Sequence, residues 1–395
     1  MVLKRSMASA LAVLTAGLVF STTPARAARS DPPSVAVSRS SNRIAAGVRL
    51  IKIKDPAAPL RIFMITMDLS RRTTLDVGRP SKTISARAPA SSIAAKYGAI
   101  AAINGDFFLH KGIPRPVHLF VEDGKYVQTG IRVGKAFAYS ADESSAFIGR
   151  PPVNILAHVP RLGGAWKIDR WNSGTSPVEQ IAAYTAAGGS IETPPKDSCW
   201  VKLAPAARLA WGDKVAGRLT RKYRVSSKDC TNAAPSVGKK IVLTAPRGSA
   251  DAQRLASLVV TDRINLTWSL GWPNVADAIA AEPQLLDAGA VVAPTVCGTM
   301  CRRNPRTAVG IKADGTVVLV VVDGRSTVSR GMTLVELAQF MKAEGVVTAL
   351  NLDGGGSSTM VVRGSVVNRP SDGKERAIAN ALMILPGPDK GQKIA

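Results

Sequence analysis

The sequence predicts an α+β domain that combines a mixed β-sheet with packed helices. Of the 395 residues, 46% are hydrophobic, which is enough for a sizeable core and excludes a mostly disordered chain. An unbroken apolar run, Thr316–Val322, and a second strand-like run, Val346–Leu352, flank an amphipathic helix near the carboxyl end. Short strand-like segments separated by glycine- and proline-containing turns precede them. The absence of heptads and of 20–50-residue repeats in the sequence excludes coiled coils and solenoids.

The first 27 residues predict a secretory signal peptide. Lys4 and Arg5 precede the apolar stretch Met7–Phe20, and Ala25–Ala27 forms a small-x-small cleavage pattern. The apolar stretch is too short to span a membrane. We therefore expect a secreted, periplasmic or otherwise extracytoplasmic protein without a membrane span. Residues 28–45, rich in Ser, Arg and Pro, are expected to form a flexible leader.

The domain itself is expected over residues 46–388, before a polar tail at 389–395. Leu60–Leu69 alternates like a strand, Ala90–Tyr97 is a short helix ended by Gly98, and Ala99–Ile103 is a buried strand. The next three segments predict a β-meander: His118–Val121, Tyr126–Thr129 and Ala136–Ser140.

The stretch near residues 150–245 is richer in proline, glycine and charge, and its strands are short. Ile181–Thr185 and Lys240–Ala245 are examples. A second domain is one interpretation. We favour an insertion within one domain, because chemically informative segments lie on both sides of it.

The carboxyl-terminal third predicts a strand–helix–strand unit. The first apolar run ends at Asp323, Thr333 and Glu336 form a capping box, and the second run ends at Asp353. Apolar residues at helical spacing predict one buried helix face: Leu334, Leu337, Ala338 and Met341. The two strands should be parallel, with their carboxyl ends side by side. Ala379–Leu385 is the last predicted strand.

The net charge of +24, from 52 Lys and Arg against 28 Asp and Glu, indicates either an anionic partner or general solubility. The basic residues are scattered, aromatic residues make up only 5%, and no nucleic-acid-binding motif is present. We therefore expect no nucleic-acid partner. An exported protein would instead meet anionic glycans, envelope polymers or phospholipid headgroups.

The four cysteines predict two disulfides in an exported chain, Cys199–Cys230 and Cys297–Cys301. Zinc is the alternative, but it needs about four ligands, and His110, His118 and His158 lie far from both pairs in sequence. We therefore expect neither a metal nor a cofactor.

The segment Asn351–Thr359 is the most informative candidate site. Its glycines, Gly354, Gly355 and Gly356, suit a sharp turn or the close approach of a ligand. Successive backbone N–H groups in such a loop can bind phosphate or another oxyanion, and Ser357 and Ser358 can add hydroxyl donors. A tight turn without a ligand is the alternative. The segment matches neither a P-loop nor a nucleophile elbow.

Other polar segments also follow or precede predicted strands. Asp106 follows a buried strand, Arg306 precedes a short apolar run, and Arg325 and Arg376 lie in loops. Taken singly, each is better explained by a turn or a solvated charge.

Together, six segments in this order resemble the phosphodiester glycosidase family. They are Asn104–Phe108 (NGDFF), Asn304–Ile311 (NPRTAVGI), Val320–Arg325 (VVVDGR), Thr333–Met341 (TLVELAQFM), Asn351–Val362 (NLDGGGSSTMVV) and Pro370–Ile384 (PSDGKERAIANALMI). The resemblance covers roughly Leu60–Leu385. It implies hydrolysis of a sugar 1-phosphodiester to free sugar and a phosphomonoester.

The resemblance and the chemistry together suggest roles for these residues. The sequence offers no well-placed histidine, and since a phosphate leaving group needs little general-acid help, we expect this absence to matter little. A carboxylate for water activation or oxocarbenium stabilisation is expected at Asp106 or Asp353, with Asp323 and Glu282 in reserve. Arg306 and the Gly354–Gly356 backbone are expected to bind the phosphate. The remaining candidates for binding substrate are Asn104, Thr307, Asn351, Ser357, Ser358 and Arg376.

The sequence departs from the family pattern at two places, of which the second lies near the expected sugar pocket. The family usually carries glycine near the position of His118, and a Gly-Gly-Pro-like stretch where this chain has Ala281–Pro283. Two other functions stay open at this point: a non-catalytic binder of anionic glycan, and a phosphodiesterase that cleaves the P–O bond.

Overall fold

The computed structural model describes residues 37–387 apart from residues 70–72, 112–113, 133, 143, 175–179, 192–194, 207–213, 216–217 and 273. The expected signal peptide and the polar tail lie outside the described residues. The described chain is mostly β-structure, so the predicted class is confirmed in its sheet component. None of the helices formed by these residues is long and apolar enough to cross a membrane.

The described residues before the expected insertion form nine strands and one helix. They are β1 (Ser38–Ala45), β2 (Val48–Asp55), β3 (Leu60–Met67), β4 (Thr73–Gly78), α1 (Ala90–Tyr97), β5 (Ala101–Asn104), β6 (Phe120–Glu122), β7 (Lys125–Gln128), β8 (Lys135–Ser140) and β9 (Ala146–Gly149). Strand β1 pairs antiparallel with β2. The expected flexible leader is therefore wrong from Ser38 onward, because its backbone is held in the sheet.

The middle of the chain forms a sheet of its own. Its elements are β10 (Asn154–His158), β11 (Ala165–Lys167), β12 (Arg170–Trp171), β13 (Ala182–Tyr184), β14 (Ser198–Pro205), β15 (Lys214–Val215), β16 (Arg218–Asp229), β17 (Ile241–Pro246), α2 (Ala250–Ala256) and β18 (Arg263–Ser269). The strand order is β11-β10-β18-β16-β14-β17-β13-β12, with β15 beside β16. This nine-stranded sheet extends about 25 residues beyond the expected end of the insertion. It belongs to the same unit, Ala36–Ala395, as the rest of the described chain.

The carboxyl-terminal part completes the other three sheets. Its elements are β19 (Val275–Ala281), β20 (Gln284–Asp287), β21 (Ala290–Val291), β22 (Arg306–Lys312), β23 (Val317–Val322), α3 (Leu334–Ala343), β24 (Val346–Asn351), β25 (Met360–Val362), β26 (Ser365–Val366) and β27 (Ala381–Pro386). The orders are β1-β2-β3-β23-β22-β24-β20-β21, β7-β6-β19-β8-β9 and β26-β25-β5-β27-β4.

Two predicted strand pairings need correction. Strands β23 and β24 run in the same direction, but β22 lies between them and is antiparallel to both. Their carboxyl ends therefore share one edge of the eight-stranded sheet without being adjacent. The expected meander is also interrupted, because β19 lies between β6 and β8. In both cases a strand distant from the local pattern takes the neighbouring position.

The central core lies between the eight-stranded sheet and the two five-stranded sheets. Alternation along β8 shows how the layers are built: Phe137 and Tyr139 face this core, whereas Ala136 and Ala138 face the nine-stranded sheet. On the outer side of the eight-stranded sheet, the apolar face of α3 shares a cluster with strand residues. The predicted capping box of Thr333 and Glu336 starts this helix.

Candidate active site

Asn104, at the end of β5, links the segments that form the candidate site. Its Nδ2 donates to the carbonyl oxygen of Asp353 (2.6 Å), and its Oδ1 accepts from Thr307 Oγ1 (2.8 Å) and from Thr359 N (3.1 Å). Asn104 and Thr307 are fully buried. Their polar atoms hold the start of β22 and the loop after β24 against β5. The structure therefore gives both residues a positioning role rather than the substrate contact predicted from the sequence.

Asp106 lies just beyond β5 and is paired with a histidine. Its Oδ1 is 2.6 Å from His118 Nδ1, and its Oδ2 accepts from His118 N at 2.7 Å. Asp106 N donates to Asn380 Oδ1 at 2.8 Å. Burial alone would lower the pKa of His118, but the adjacent Asp106 outweighs it and the pKa is raised. The expectation that no histidine would be well placed is therefore wrong.

The far side of His118 faces Glu282. His118 Nε2 is 3.6 Å from Glu282 Oε1, and the same oxygen is 3.1 Å from Arg132 Nη1. Arg132 is exposed, Glu282 is partly exposed, and His118 and Asp106 are buried. The four side chains thus form a continuous polar chain from the surface to Asp106. His118 and Glu282, the two positions that depart from the family pattern, are neighbours in this chain.

Asp353 begins the loop that follows β24. Its backbone N–H donates to Gly105 O at 3.0 Å, which places it beside the segment that carries Asp106. Burial raises the pKa of Asp353 to about 7; the neighbouring Ser357 side chain and the charge of Arg376 act against this rise, and the charge of Asp106 adds to it. Asp353 is therefore a carboxyl group that can exchange its proton near neutral pH.

Buried polar atoms without a hydrogen-bond partner concentrate in the same place. Among the described residues they include Asn351 Oδ1, Asp353 Oδ2, Ser357 Oγ, Ser358 Oγ and Thr359 Oγ1 in one nine-residue segment, together with His118 Nε2 and Asn380 Nδ2. Leaving such atoms unpaired costs about 1–3 kcal/mol each. Their concentration indicates a site at which a polar ligand would supply the missing partners.

The glycines of this segment allow two arginines to approach the backbone. A Cβ atom on Gly355, which has a φ of 61°, would lie 3.0 Å from Arg325 Nη2, and one on Gly356 would collide with Arg376 and its ion-pair partner Asp372. Four N–H groups of the segment already donate to main-chain oxygens: those of Ser357 and Ser358 within the segment, and those of Asp353 and Gly355 to Gly105 O and Pro305 O outside it. The positive electrostatic potential at the glycine run therefore comes from the nearby guanidinium groups of Arg325 and Arg376 as well as from the backbone N–H groups of the run.

Arg306 does not fit the predicted phosphate contact. Its Nε donates to Met332 O (2.8 Å), and its Nη2 donates to Met300 O (2.7 Å) and Arg302 O (2.5 Å). The residue is 3% exposed, and burial lowers its pKa to about 10. Its guanidinium instead holds the loop closed by Cys297–Cys301. Sequence reasoning identified the position but not its partners, which are main-chain carbonyls.

Asp323 uses one carboxylate oxygen to support a loop, whereas its buried Oδ2 has no hydrogen-bond partner among the described residues. Its Oδ1 accepts from Arg369 N (2.9 Å) and Asn368 Nδ2 (3.1 Å). Asn368 in turn donates to Ser358 O and accepts from Met360 N. Asp323 therefore reaches the glycine-containing segment through Asn368. Burial raises the pKa of Asp323.

Three residues of the site were missed or undervalued in the sequence: His118, Arg325 and Asn380. Arg325 carried the clearest signal, because it directly follows the strand end at Asp323–Gly324. Asn380 adjoins the last strand, but only the pairing of β27 with β5 brings it to Asp106. Nothing local marks His118 as a partner of Asp106.

The two predicted cysteine pairs, Cys199–Cys230 and Cys297–Cys301, lie at disulfide distance. The first joins the amino-terminal part of β14 to the end of β16. The second closes the loop to which Arg306 donates two hydrogen bonds.

The comparison with known families identifies one domain. Residues 221–385 match the sequence model of the phosphodiester glycosidase family. The resemblance predicted from the sequence is thereby confirmed, and this part of the chain carries a phosphodiester glycosidase domain. The matched range includes Asp323, Asp353 and Arg376, whereas Asp106 and His118 lie before it.

Individual relatives match over a shorter range. An uncharacterized prophage-derived protein of Bacillus subtilis is 45% identical over 82 residues, which is 21% of this chain. The N-acetylglucosamine-1-phosphodiester alpha-N-acetylglucosaminidases of Mus musculus and Homo sapiens are each 48% identical over 69 residues, which is 18% of this chain. Each match spans 13% of the relative's own length.

Two solved structures share the fold over most of the chain. A Synechocystis protein superimposes with a TM-score of 0.67 at 19% identity, covering 89% of this chain and 68% of that protein. A Burkholderia pseudomallei protein gives a TM-score of 0.65 at 20% identity, covering 90% and 97%. The likeness therefore extends through the nine-stranded sheet.

Proposed function

We propose that this chain is an exported phosphodiester glycosidase. It hydrolyses the glycosidic bond of a sugar 1-phosphodiester in a cell-envelope or extracellular glycoconjugate. The observation that carries the proposal is Asp353, a buried carboxyl group with a pKa of about 7 and an unpartnered Oδ2, inside the family-matched segment. The signal-peptide pattern and the two cysteine pairs support export.

In this proposal Asp353 acts on the attacking water. Above its pKa the carboxylate accepts a proton from water, and the water oxygen bonds to the anomeric carbon. The bond from that carbon to the phosphate oxygen breaks, and its electron pair leaves with the phosphomonoester. Because that leaving group is already stable as an anion, protonation by a general acid contributes little.

Arg325 and Arg376 are the groups best placed to bind the phosphate. Both guanidiniums lie against the glycine-containing segment, where the unpartnered hydroxyls of Ser357 and Ser358 add donors. Charge-assisted hydrogen bonds to phosphate are stronger than neutral ones. These two arginines replace Arg306, whose Nε and Nη2 donate to main-chain carbonyls.

The sugar is expected on the side of Asp106 and Glu282. The Asp106–His118 pair holds a proton beside Asp353, and Glu282 reaches partial exposure next to His118. Asn351 Oδ1 and Asn380 Nδ2 are further unpartnered groups on this side. An acceptor and a donor together suit sugar hydroxyls, which offer both.

Hydrolysis in heavy-oxygen water tests the proposed bond cleavage. With a chromogenic sugar 1-phosphodiester and purified mature protein, we expect the label in the released sugar, because attack occurs at the anomeric carbon. Label in the phosphomonoester would instead assign a phosphodiesterase that cleaves the P–O bond. Saturable binding without turnover would assign a non-catalytic glycan-binding protein. Either of these two results would overturn the proposal.

A further inference from the structure

The dipeptide Asn304–Pro305, just before β22, is packed against two loops of the candidate active site. A Cβ atom on Gly331 would lie 2.5 Å from Asn304 O, and one on Gly324 would lie 2.7 Å from Pro305 N. These two glycines belong to the loop after β23, and only residues without a side chain allow so close an approach. Pro305 O also accepts from Gly355 N at 2.9 Å. The dipeptide therefore joins the loop after β23 to the glycine-containing segment.

The side chain of Asn304 connects the loop closed by Cys297–Cys301 to Arg325. Its Nδ2 donates to Thr299 O at 3.1 Å and to Arg302 O at 3.2 Å, within and directly after that loop. Its Oδ1 accepts from Arg325 Nη2 at 3.0 Å. A primary amide has two N–H donors and one acceptor oxygen. The amide of Asn304 thus uses both donors on the loop and its oxygen on the arginine.

The support around Asn304 is itself well held. Its backbone N–H and carbonyl oxygen each form a hydrogen bond of 3.1 Å with Met332. Arg306, which the proposed mechanism does not use, donates to the same carbonyl oxygen of Met332 and to two carbonyl oxygens of the cysteine-closed loop and its end. A buried guanidinium, a cysteine pair and a backbone bridge therefore fix the position from which Asn304 reaches Arg325.

Arg325 is exposed, and the contact with Asn304 restrains it. Among the described residues it forms no ion pair, and its guanidinium donates to the Asn304 oxygen. Burial, and next the charge of Arg325, lower the pKa of Arg306, so the two guanidinium groups are close enough to repel each other. This repulsion favours conformations in which Arg325 points away from Arg306. The hydrogen bond to Asn304 opposes that movement.

An arginine that is held before binding is a better phosphate ligand than a mobile one. A flexible side chain loses rotamer freedom when a ligand immobilises it, and this loss weakens binding. A contact already made in the free protein removes part of the loss. Arg325 Nη2 lies 3.0 Å from the place that a Cβ atom on Gly355 would take, so the restrained guanidinium lies against the glycine-containing segment.

We propose that Asn304 is a positioning residue for phosphate binding, whose amide holds the Arg325 guanidinium against the glycine-containing segment before the substrate arrives. The inference rests on the proposed function, which assigns Arg325 to the phosphate. Asn304 acts through Arg325 and does not itself touch the substrate. Arg306 and the Cys297–Cys301 pair support Asn304, which gives the cysteine-closed loop an influence on phosphate affinity.

Calorimetric titration of the purified mature protein with inorganic phosphate tests the inference, because it measures the Kd without requiring turnover. The variants are Asn304→Ala, Arg325→Gln and the two combined. Thr299→Ala is the matched control: it truncates an exposed neutral side chain of the same loop but leaves Thr299 O, the acceptor of Asn304 Nδ2, in place. Thermal unfolding and hydrolysis of a chromogenic sugar 1-phosphodiester are measured in parallel.

We expect Asn304→Ala to raise the Kd of phosphate about threefold to tenfold, the range expected for the lost preorganisation of one flexible side chain. Thr299→Ala should change the Kd less than about twofold, as is usual for an exposed substitution. In the Arg325→Gln background, Asn304→Ala should add less than about twofold, because the two residues act as one unit. A merely structural role of Asn304 would weaken phosphate binding equally with and without Arg325.

A second variant keeps the test decisive if Asn304→Ala folds poorly. Cys297→Ala combined with Cys301→Ala releases the loop without altering Asn304. It should raise the Kd about threefold in the wild-type background and have no further effect with Arg325→Gln.

Three results would overturn the inference: an unchanged Kd in Asn304→Ala, equal weakening by Thr299→Ala, or an effect of Asn304→Ala that is the same with and without Arg325. If hydrolysis proceeds as expected while any of these is found, the proposed function stands without the positioning role. A wild-type protein that binds phosphate with the expected dependence on Asn304 and Arg325 but hydrolyses nothing would refute the proposed function and leave the positioning role standing.

Discussion

Two strands of the eight-stranded sheet end in the same dipeptide but give their carboxylates different surroundings. Asp323-Gly324 follows β23, and Asp353-Gly354 follows β24, at the same edge of the sheet. Asp323 Oδ1 accepts hydrogen bonds from Asn368 and Arg369. Asp353 instead lies beside the Asp106 segment, and its pKa is raised to about 7. The local sequence places both acids, but their distant neighbours determine what each can do.

The difference follows from what lies opposite each strand end. The loop after β26 reaches Asp323 and uses it as an acceptor, so this carboxylate stabilises a loop. Asp353 meets the end of β5, where Asp106 is paired with His118, and where His118 Nε2 and Asn380 Nδ2 have no hydrogen-bond partner among the described residues. Both aspartates keep a buried Oδ2 without a partner among the described residues, so the distinction is that Asp353 lies beside a second carboxyl group, Asp106, which adds to the rise of its pKa.

Asp353→Asn should produce the largest effect. We expect turnover of a sugar 1-phosphodiester to fall by about 10²- to 10⁴-fold, because the amide cannot accept the proton of the attacking water. Steady-state kinetics of the folded variant measure this loss. Asp287→Asn, at the exposed end of β20 in the same sheet, is the matched control and should keep full activity. Retention of more than about a tenth of the rate in Asp353→Asn would refute the assignment.

The pH dependence of stability gives the next largest effect. A carboxyl group with a pKa of 3.8 when unfolded and about 7 when folded favours the folded state most at low pH. This contribution is lost as the pH rises through 7, because the unfolded chain then binds fewer protons. Relative to wild type, Asp353→Asn should gain about 3 kcal/mol of unfolding free energy between pH 5 and pH 8.

Urea unfolding at pH 5, 6, 7 and 8 measures that difference, with Asp287→Asn again as the control. A difference between wild type and Asp353→Asn that stays constant with pH would mean that Asp353 is ionised at an ordinary pKa. The contrast with Asp323 would then lose its electrostatic basis.

Elements whose sequence pattern is local could be predicted from the sequence. The capping box before α3, the end of α1 at Gly98, the strand β23 and the cysteine pairs were all predicted and are present. The candidate site at Asp353 and the glycine run stays a prediction, although buried polar atoms without a partner lie in that segment. These features depend on residues within a few positions of each other, apart from the cysteine pairs, for which export limited the choices.

The predictions that were wrong concern features that depend on pairing between distant segments. Strand β22 lies between β23 and β24, and β19 lies between β6 and β8. Neither position can be predicted from the sequence of the neighbouring strands alone. The same is true of the Asp106–His118 pair and of Arg306, which binds carbonyl oxygens rather than phosphate. Contacts between distant segments determine the hydrogen-bond partners of a polar side chain. Those partners determine which of the predicted residues can still contact a substrate.

Substitution of Arg325 or Arg376, the two arginines beside the glycine-containing segment, should have an intermediate effect on phosphate binding. We expect inorganic phosphate to inhibit the wild-type protein, and Arg376→Gln or Arg325→Gln to raise the inhibition constant about tenfold each, as for a lost charge-assisted hydrogen bond. Arg330→Gln, on an exposed arginine in the same loop region as Arg325, serves as the matched control. Equal phosphate inhibition in all four proteins would remove both arginines from the phosphate site.

The smallest effect on activity is expected for substitution of Asp323. This prediction tests the comparison of Asp323 with Asp353 at the residue expected to be structural. Asp323→Ala removes the acceptor of Arg369 N and Asn368 Nδ2, so we expect a loss of about 1–3 kcal/mol of unfolding free energy. Turnover should stay within about tenfold of wild type, because Asp323 contacts the glycine-containing segment only through Asn368. Asp323→Asn retains one acceptor oxygen and should recover much of the lost stability. A loss of turnover of about 100-fold with unchanged stability would make the two strand-end acids partners in the chemistry, and the distinction drawn between them would be wrong.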